Sequence, residues 1–236
     1  MKLSFSTRGW ENGAWEEWMA AAKDMHFSGI EIYNAHKNEA LFEKSGPFHK
    51  YTIASTVRSL NEARIAIPCL DSSIDISGDV NAAVESLKRL MHTAADLRVP
   101  CVGAYAAGDN EDNVRAVIDA LLPVAEEKRV AVLIKTTGIY SDTARLSQLM
   151  NHFACDEIGV IWDMHHTVRE GKESAAETIK NLGAYVRHVH LRDSDADGEY
   201  CPIGEGTLPI KDLMDALGSI NYDGYISAGW MLEWSE

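Results

Sequence analysis

Short apolar runs alternate with longer amphipathic segments along the whole chain, and this alternation constrains the fold more than any other feature. The apolar runs are rich in Ile and Val and lack a strict apolar–polar alternation, as strands buried on both faces do. We predict eight strands, at residues 3–6, 29–33, 65–70, 101–105, 130–134, 159–162, 187–191 and 224–227. Eight strands separated by helical patterns are typical of a (β/α)₈ barrel in the α/β class.

The helical patterns between these strands support the barrel. Apolar side chains fall on one helical face over residues 84–97 and again over residues 114–122. Asp79, Asp109 or Asn110, and Ser141 stand where N-cap residues would begin three of the helices. A doubly wound open sheet is the main alternative, but no Gly-x-Gly-x-x-Gly motif follows the first strand. We therefore expect residues 1–236 to form a single barrel domain.

One element of the barrel is expected to be absent. Only nine residues follow the eighth predicted strand, which is too few for a closing helix. The outer face between the last and first strands would then need another cover. We expect a homo-oligomer, or a fused or partner domain, to provide it.

The net charge restricts the kinds of molecule that can bind, and the cysteine spacing indicates the state of the thiols. The formal net charge of −14 argues against a nucleic-acid backbone or an anionic membrane as a steady partner. A small sugar is compatible with it, whereas a sugar phosphate would need a local basic pocket. No leader-like or membrane-spanning apolar run is present, and the four cysteines are widely spaced. These features predict a cytoplasmic protein with free thiols.

Residues at the carboxyl ends of the predicted strands are the candidates for chemistry, because active sites of such barrels lie there. Asp163 and His166 follow the sixth strand, and His190 ends the seventh. A carboxylate and two imidazoles from neighbouring strands can surround a divalent ion. We predict that these three residues form a metal site, and that Asp193 lies near enough to hold its ligands in place without binding the ion itself.

Five motifs carry a family resemblance that covers essentially the whole chain in order. They are Gly-Ile-Glu-Ile at 29–32, Trp-Asp-x-His-His at 162–166, His-Val-His-Leu-Arg-Asp-Ser at 188–194, Gly-Glu-Gly-Thr-Leu-Pro-Ile at 204–210, and Asn-Tyr-Asp-Gly-Tyr-Ile-Ser at 221–227. Together they resemble the xylose-isomerase-like barrels, the sugar phosphate isomerase/epimerase group related to endonuclease IV.

The resemblance implies an isomerase or epimerase that moves a proton beside a sugar carbonyl through an enediolate. In that family a divalent ion (Mn, Mg, Co or Zn) sits on Glu, Asp, His and Glu from strands five to eight, and the two glutamates form the acid/base pair. Asp163 and His190 match two of these ligands. His166 matches the substrate-side or additional ligand histidine.

The chain departs from the family pattern at both glutamates, where Lys135 and Gly229 stand instead. A lysine ammonium about 4 Å from a divalent ion is repelled by several kcal/mol even at an effective dielectric of about 20. We therefore expect a degraded or altered metal site and impaired family activity, with Asp163, His166 and His190 as a residual zinc site. Glu233 is a minor alternative ligand. Natural loss and engineering are both compatible with the paired replacement.

Lys135 suggests two other interpretations. A partly desolvated lysine can attack a carbonyl, which would give Schiff-base chemistry of the aldolase (lyase) type, with Tyr33, Tyr105 or His190 shuttling protons. Alternatively, Lys135 pairs with Asp163 or Glu31, and this ion pair stabilises a barrel whose mouth, the carboxyl-terminal end of the strands, is catalytically inert. A non-catalytic barrel that binds a sugar-like ligand, or serves as a domain of an assembly, is the third hypothesis.

The remaining candidates follow from their positions near the strand ends. We take Lys135, His166 and Glu31 as candidate catalytic residues. The candidates for substrate binding are Trp10, Tyr33, Trp162, Arg192, Glu205 and Trp230.

Overall fold

The chain folds into a closed barrel of eight parallel strands, as the computed structural model shows for the residues that it describes, 1–10 and 13–229. The barrel strands are β1 (Lys2–Ser6), β2 (Gly29–Tyr33), β3 (Leu70–Asp71), β4 (Cys101–Ala104), β5 (Ala131–Lys135), β6 (Ile158–Asp163), β7 (Val186–Leu191) and β10 (Tyr225–Ala228). β1 pairs with both β2 and β10, which closes the barrel. The predicted (β/α)₈ fold is confirmed.

Helices cover the outside of the barrel. They are α1 (Trp15–Asp24), α2 (Ile53–Ala63), α3 (Val80–Leu97), α4 (Glu111–Lys128), α5 (Thr143–Phe153), α6 (Met164–Arg169), α7 (Ala175–Leu182) and α8 (Ile210–Ser219). The apolar stripes predicted for α3 and α4 face inward, since Leu87, Met91 and Val117 are fully buried. None of the helices in the described parts of the chain has the length and apolar character to cross a bilayer.

Side-chain caps begin three of the helices named in the sequence prediction. The carboxylate of Asp79 accepts a hydrogen bond from Ala82 N at 3.0 Å, and Asn110 accepts one from Asn113 N at 3.2 Å. Both follow the prediction, with Asn110 rather than Asp109 as the cap. The prediction of Ser141 was wrong, because the next residue, Asp142, accepts the capping bond of α5 from Arg145 N.

The third strand is shorter than predicted. Residues 65–70 were expected to form it, but the regular strand covers Leu70–Asp71, with a single bridge between Gly29 and Ala66 before it. Pro68 lies between these two points and has no N–H to donate to a neighbouring strand. The interruption leaves Asp71 at the carboxyl end of the strand, where its side chain joins the barrel mouth.

A small hairpin stands beside the mouth and was not predicted. It consists of β8 (Asp193–Ser194) and β9 (Tyr200–Cys201), which pair antiparallel directly after β7. Its turn is built from Asp, Ala and Gly residues that carry no strand pattern of their own. The hairpin places Tyr200 beside the side chains that end β6 and β7.

The outer face between β1 and β10 differs on its two sides. Leu3 and Ile226 are register partners on these strands, yet Leu3 is 56% exposed and Ile226 only 3%. The last helix of the described chain is α8, which precedes β10. No helix within residues 1–10 and 13–229 therefore covers Leu3.

This contrast gives a test of the packing. Ile226→Ala should lower the free energy of unfolding by about 2–5 kcal/mol, because it empties buried volume. Leu3→Ala should change it by about 1 kcal/mol or less, because an exposed strand residue loses little contact. Urea unfolding followed by circular dichroism measures both variants. An equally large loss for Leu3→Ala would show that another surface covers Leu3 in solution.

Candidate active site

The carboxyl ends of the barrel strands form a mouth with two adjoining cavities. The larger, of about 400 Å³, is lined by Arg8, Tyr33, Ser73, Tyr105, Lys135, His166 and Glu170 among others. The smaller, of about 30 Å³, lies deeper and is lined by Ser6, Arg8, Glu31, Asp71, His190, Arg192, Ser227 and Gly229. The exposed Arg8 borders both. Most of the predicted strand-end candidates therefore converge on one place.

The deepest polar group of the mouth joins β2 to β7. Glu31 Oε2 lies 2.5 Å from His188 Nε2 and 2.7 Å from His190 Nε2, and the Glu31 side chain is fully buried. His188 and His190 point the same way because side chains two apart share one face of a strand. His188 was not predicted as a site residue. The His-x-His spacing on a buried strand was the signal that would have revealed it.

The contact between Glu31 and the two histidines determines the protonation states of Glu31 and His190. Burial opposes ionisation of Glu31, but the two histidines outweigh it and hold the pKa of this carboxyl well below its usual range. Burial likewise disfavours the charged form of His190, yet Glu31 and Asp163 raise the pKa of His190 to about 9. At neutral pH the pair is therefore a buried imidazolium–carboxylate ion pair.

Asp163 is the second centre of the mouth. One of its oxygens, Oδ1, accepts a hydrogen bond from His166 N at 3.2 Å and lies 2.9 Å from His166 Nδ1. Its other oxygen, Oδ2, accepts one from Arg192 Nη2 at 2.8 Å and lies 3.8 Å from His190 Nδ1. Burial works against the charge of Asp163, but Arg192 and His166 keep its pKa well below the usual range. The predicted trio does meet at Asp163, together with an arginine.

Arg192 also takes up the space next to Gly229. A Cβ atom placed on Gly229 would overlap Cγ of Arg192 and lie 2.6 Å from its Cδ. The guanidinium lies 5.3 Å from the ring centroid of Tyr200 on the hairpin. The arginine stem thus occupies the position into which a longer side chain at 229 would extend.

Lys135 is held at the mouth by an acid that the sequence did not single out. Its Nζ lies 2.9 and 3.0 Å from the two carboxylate oxygens of Asp71 and donates to Ser72 O at 2.7 Å. The rings of Tyr33 and Tyr105 flank it, each with its centroid 5.6 Å from Nζ. The expected pairing with Asp163 or Glu31 was wrong. Asp163 is bonded to Arg192, and Glu31 lies between the two histidines of β7.

The two residues for which the sequence predicts a departure from the family's metal ligands both lie at the mouth, Lys135 at the end of β5 and Gly229 after β10. The predicted ligand Asp163 is bonded to Arg192. Among the described residues, one group of ligand-type side chains lies close enough to hold an ion, namely Glu31, His188 and His190. Glu31 Oε2 lies 2.5 and 2.7 Å from the imidazole nitrogens of the two histidines. Ligand atoms that are each about 2.0–2.1 Å from a zinc ion are roughly 3.3 Å from one another. This group would have to open before it bound a metal.

The other predicted substrate-binding residues lie in different places. Trp162 is fully buried and donates from Nε1 to Thr167 Oγ1 at 3.0 Å, so it belongs to the core and does not wall the mouth. The ring of Trp10 packs 6.4 Å from that of Phe5. Glu205 is exposed on the loop after the hairpin. Trp230 and Glu233 lie outside the described residues.

Asp193 anchors that loop and does not reach toward the mouth. Its carboxylate accepts hydrogen bonds from the backbone N–H groups of Ser194, Gly204, Gly206 and Leu208, at 2.8–3.2 Å. Burial opposes its ionisation, but these donors lower the pKa of Asp193 below its usual range. A Cβ on Gly206 would overlap the carboxylate, which explains the glycine there. The loop is thereby fastened to the end of β7.

Comparison with known proteins agrees with the barrel fold. The family model described as "Xylose isomerase-like TIM barrel" matches residues 19–233. The chain belongs to this family. A curated relative of this xylose isomerase-like barrel is an uncharacterised protein of Methanocaldococcus jannaschii, 22% identical over 178 residues. The match covers 72% of this chain and 58% of the relative, so the chain spans less than two thirds of that protein.

Two solved structures show how closely this xylose isomerase-like barrel agrees with known folds. A probable 3-DHS dehydratase of petrobactin synthesis from Bacillus anthracis superposes with a TM-score of 0.80 at 16% identity, covering 98% of this chain and 93% of that one. D-Psicose 3-epimerase with D-tagatose, from Clostridium cellulolyticum H10, gives a TM-score of 0.78 at 16% identity, with 98% and 86% covered. Identities this low establish a shared fold.

The Glu31–His190 pair predicts a pH dependence of stability. The pKa of His190 is raised from 6.5 to about 9, so its contribution is complete below pH 6.5 and is lost as the pH rises through 9. We expect the free energy of unfolding to fall by up to about 3 kcal/mol over this interval. Glu31→Gln removes the opposite charge and should flatten the decrease. Urea unfolding with EDTA present, from about pH 6 to 10, compares the two proteins, and parallel curves would contradict the assignment.

Proposed function

We propose that this chain is an isomerase- or epimerase-type barrel that binds a small keto or aldo sugar at its mouth, with the divalent-metal activity of the family impaired. One observation supports the impairment: two cations, Lys135 and Arg192, are ion-paired with Asp71 and Asp163 at the strand ends where the family resemblance predicts metal ligands. The cavity beside them is polar and large enough for a small sugar. Tyr33 and Tyr105 provide aromatic walls for it.

Electrostatics supports the impairment. An ion seated on Asp163 would compete with the Arg192 guanidinium, which lies 2.8 Å from that carboxylate and is itself buried. Lys135 would add a second positive charge near the same place. Separating either ion pair leaves a buried charge without a partner, which is costly. The geometry therefore favours the paired cations over a divalent ion.

His166 is the residue best placed to move a proton. It borders the larger cavity, its Nδ1 lies 2.9 Å from Asp163, and its Nε2 lies 3.5 Å from the half-exposed Glu170. A carboxylate on Nδ1 orients an imidazole so that Nε2 can act as the general base. In the proposed reaction, Nε2 takes the proton from the carbon next to the substrate carbonyl. For epimerisation, the enediolate turns in the cavity and takes the proton back on the opposite face of the same carbon. For isomerisation, the proton goes to the former carbonyl carbon, and the hydroxyl proton of the first carbon passes to the enediolate oxygen.

Lys135 would stabilise the enediolate that this step produces. An ammonium group has three donors, and Asp71 and the Ser72 carbonyl account for two of them. The third remains for a substrate oxygen on which negative charge develops. The same pairing disfavours the Schiff-base alternative, because an ammonium held between a carboxylate and a carbonyl has no lone pair with which to attack.

Solvent exchange tests the proton transfer. The protein is incubated in D₂O with a panel of ketoses and aldoses, and ¹H NMR follows loss of the proton next to the carbonyl. We expect slow exchange that persists in EDTA and falls at least about 100-fold in His166→Gln. His152→Gln, on the exposed end of α5, is the matched control and should keep the wild-type rate. Ligand binding without exchange would instead identify a binding barrel, and exchange abolished by EDTA would contradict the proposal.

Metal content tests the impaired site. After dialysis against Mn²⁺ or Zn²⁺ and desalting, plasma mass spectrometry should find well below one ion per wild-type chain. A variant with Lys135→Glu, Gly229→Glu and Arg192→Ala should bind close to one, because it restores both ligands and frees Asp163. Arg192→Ala alone is the control and should stay metal-poor. A wild-type stoichiometry near one that is lost in His188→Asn would place an ion on Glu31, His188 and His190, and would refute the impairment.

A further inference from the structure

A second cavity lies beside the mouth and is lined by basic side chains. It has a volume of about 800 Å³ and is bounded by the segments that follow β2 and β3 and by one face of α3. Lys37, Lys88 and Arg89 border it, and Glu85 is the single acidic residue among the described residues that line it. Such a group is unexpected on a chain of net charge −14. We call this the α3 cavity.

The three cations have no acidic partner in the described part of the chain. Lys37 Nζ donates to the hydroxyl of Ser73 at 3.0 Å, and the ion pairs formed by residues 1–10 and 13–229 include neither Lys88 nor Arg89. Lys88 is half-buried and Arg89 is exposed. Their charges are therefore available to an anion that enters the cavity.

Two histidines, His36 and His92, line the cavity, and the pKa of His36 responds to burial and to the positive charge beside it. Burial, and next the nearby charge of Arg89, lower the pKa of His36. Its ring stacks on Phe42 with the centroids 4.7 Å apart, and its Nε2 lies 3.2 Å from the hydroxyl of Thr93 on α3. The wall is thus a fixed surface, held to α3 by side-chain contacts.

The α3 cavity adjoins the mouth at two consecutive residues, Ser72 and Ser73. Ser73 lines both cavities and is held by the Asn34 side chain, which accepts from its N–H at 2.8 Å and from its hydroxyl at 3.0 Å. Ser72 accepts from Lys135 at 2.7 Å, and Ser73 accepts from Lys37 at 3.0 Å. Neighbouring residues are at most about 3.8 Å apart between Cα atoms, so the two ammonium groups are within roughly 10 Å.

We infer that the α3 cavity binds the anionic group, a phosphate or a carboxylate, of a ligand whose carbonyl end lies at the mouth. Lys37, Lys88 and Arg89 supply the charge, and a five- or six-carbon chain spans the distance to Lys135 and His166. The identification of the ligand as a substrate rests on the proposed function; the anion site does not. The α3 cavity gives the acidic protein the local basic pocket that a sugar phosphate requires.

Isothermal titration calorimetry tests this inference with four probes: inorganic phosphate, D-ribose 5-phosphate, D-ribose and D-gluconate. D-Ribose 5-phosphate should bind at least about tenfold more tightly than D-ribose, and Lys88→Gln/Arg89→Gln should weaken its binding by about tenfold or more. The control is Lys23→Gln/Lys180→Gln, which makes the same change in net charge on α1 and α7. Both of its residues are exposed, and it should bind like the wild type.

The probes separate the outcomes. Saturable binding of inorganic phosphate or D-ribose 5-phosphate that is lost in the α3 variant, but not in the control, supports a phosphate site. The same pattern for D-gluconate alone supports a carboxylate site. Equal weakening in both double variants, or no saturable binding of any anion, overturns the inference. Anion binding by a protein that exchanges no substrate proton refutes the proposed function and leaves the site standing.

Discussion

The ion pair between Asp163 and Arg192 is the interaction on which the mouth depends. Both side chains are buried, so each must be neutralised by the other or by a neighbour. Asp163 also caps α6 through the His166 N–H, and its Oδ1 lies 2.9 Å from Nδ1 of the His166 ring. Arg192 in turn fills the space next to Gly229 and meets the hairpin at Tyr200. One pair therefore links strand ends, a helix start and the loop that borders the site.

The same rule explains why the other charges of the mouth occur in matched groups. Glu31 lies between His188 and His190, and Lys135 lies on Asp71. Burial alone would disfavour the charges of Glu31 and His190, and each of the two reverses that preference in the other. Lys135 at the end of β5 is thus accommodated by an acid at the end of β3.

Much of the fold could be predicted because buried parallel strands leave continuous apolar runs, and seven of the eight strands lie within about two residues of their predicted positions. The short length of β3 was not predicted, because Pro68 interrupts an apolar run that is otherwise continuous. At the site, Asp163, His166, His190, Lys135 and Glu31 were foreseen from their strand-end positions. Their pairings were not, since Asp71 and Lys135 are 64 residues apart and meet only through barrel closure.

The charges outside the mouth affect how an anionic ligand approaches the protein. An acidic protein repels anions on average, and its field falls off within about one Debye length, near 10 Å in about 0.1 M salt. A local group of cations that outnumbers its acidic neighbours can therefore reverse the sign of the potential over one cavity while the net charge stays at −14. At the mouth, Lys135 and Arg192 are neutralised by Asp71 and Asp163, and Arg8 is the bordering cation for which the described residues provide no ion pair. In the proposed function, the α3 cavity attracts an anionic ligand, and the mouth provides polar recognition and proton transfer.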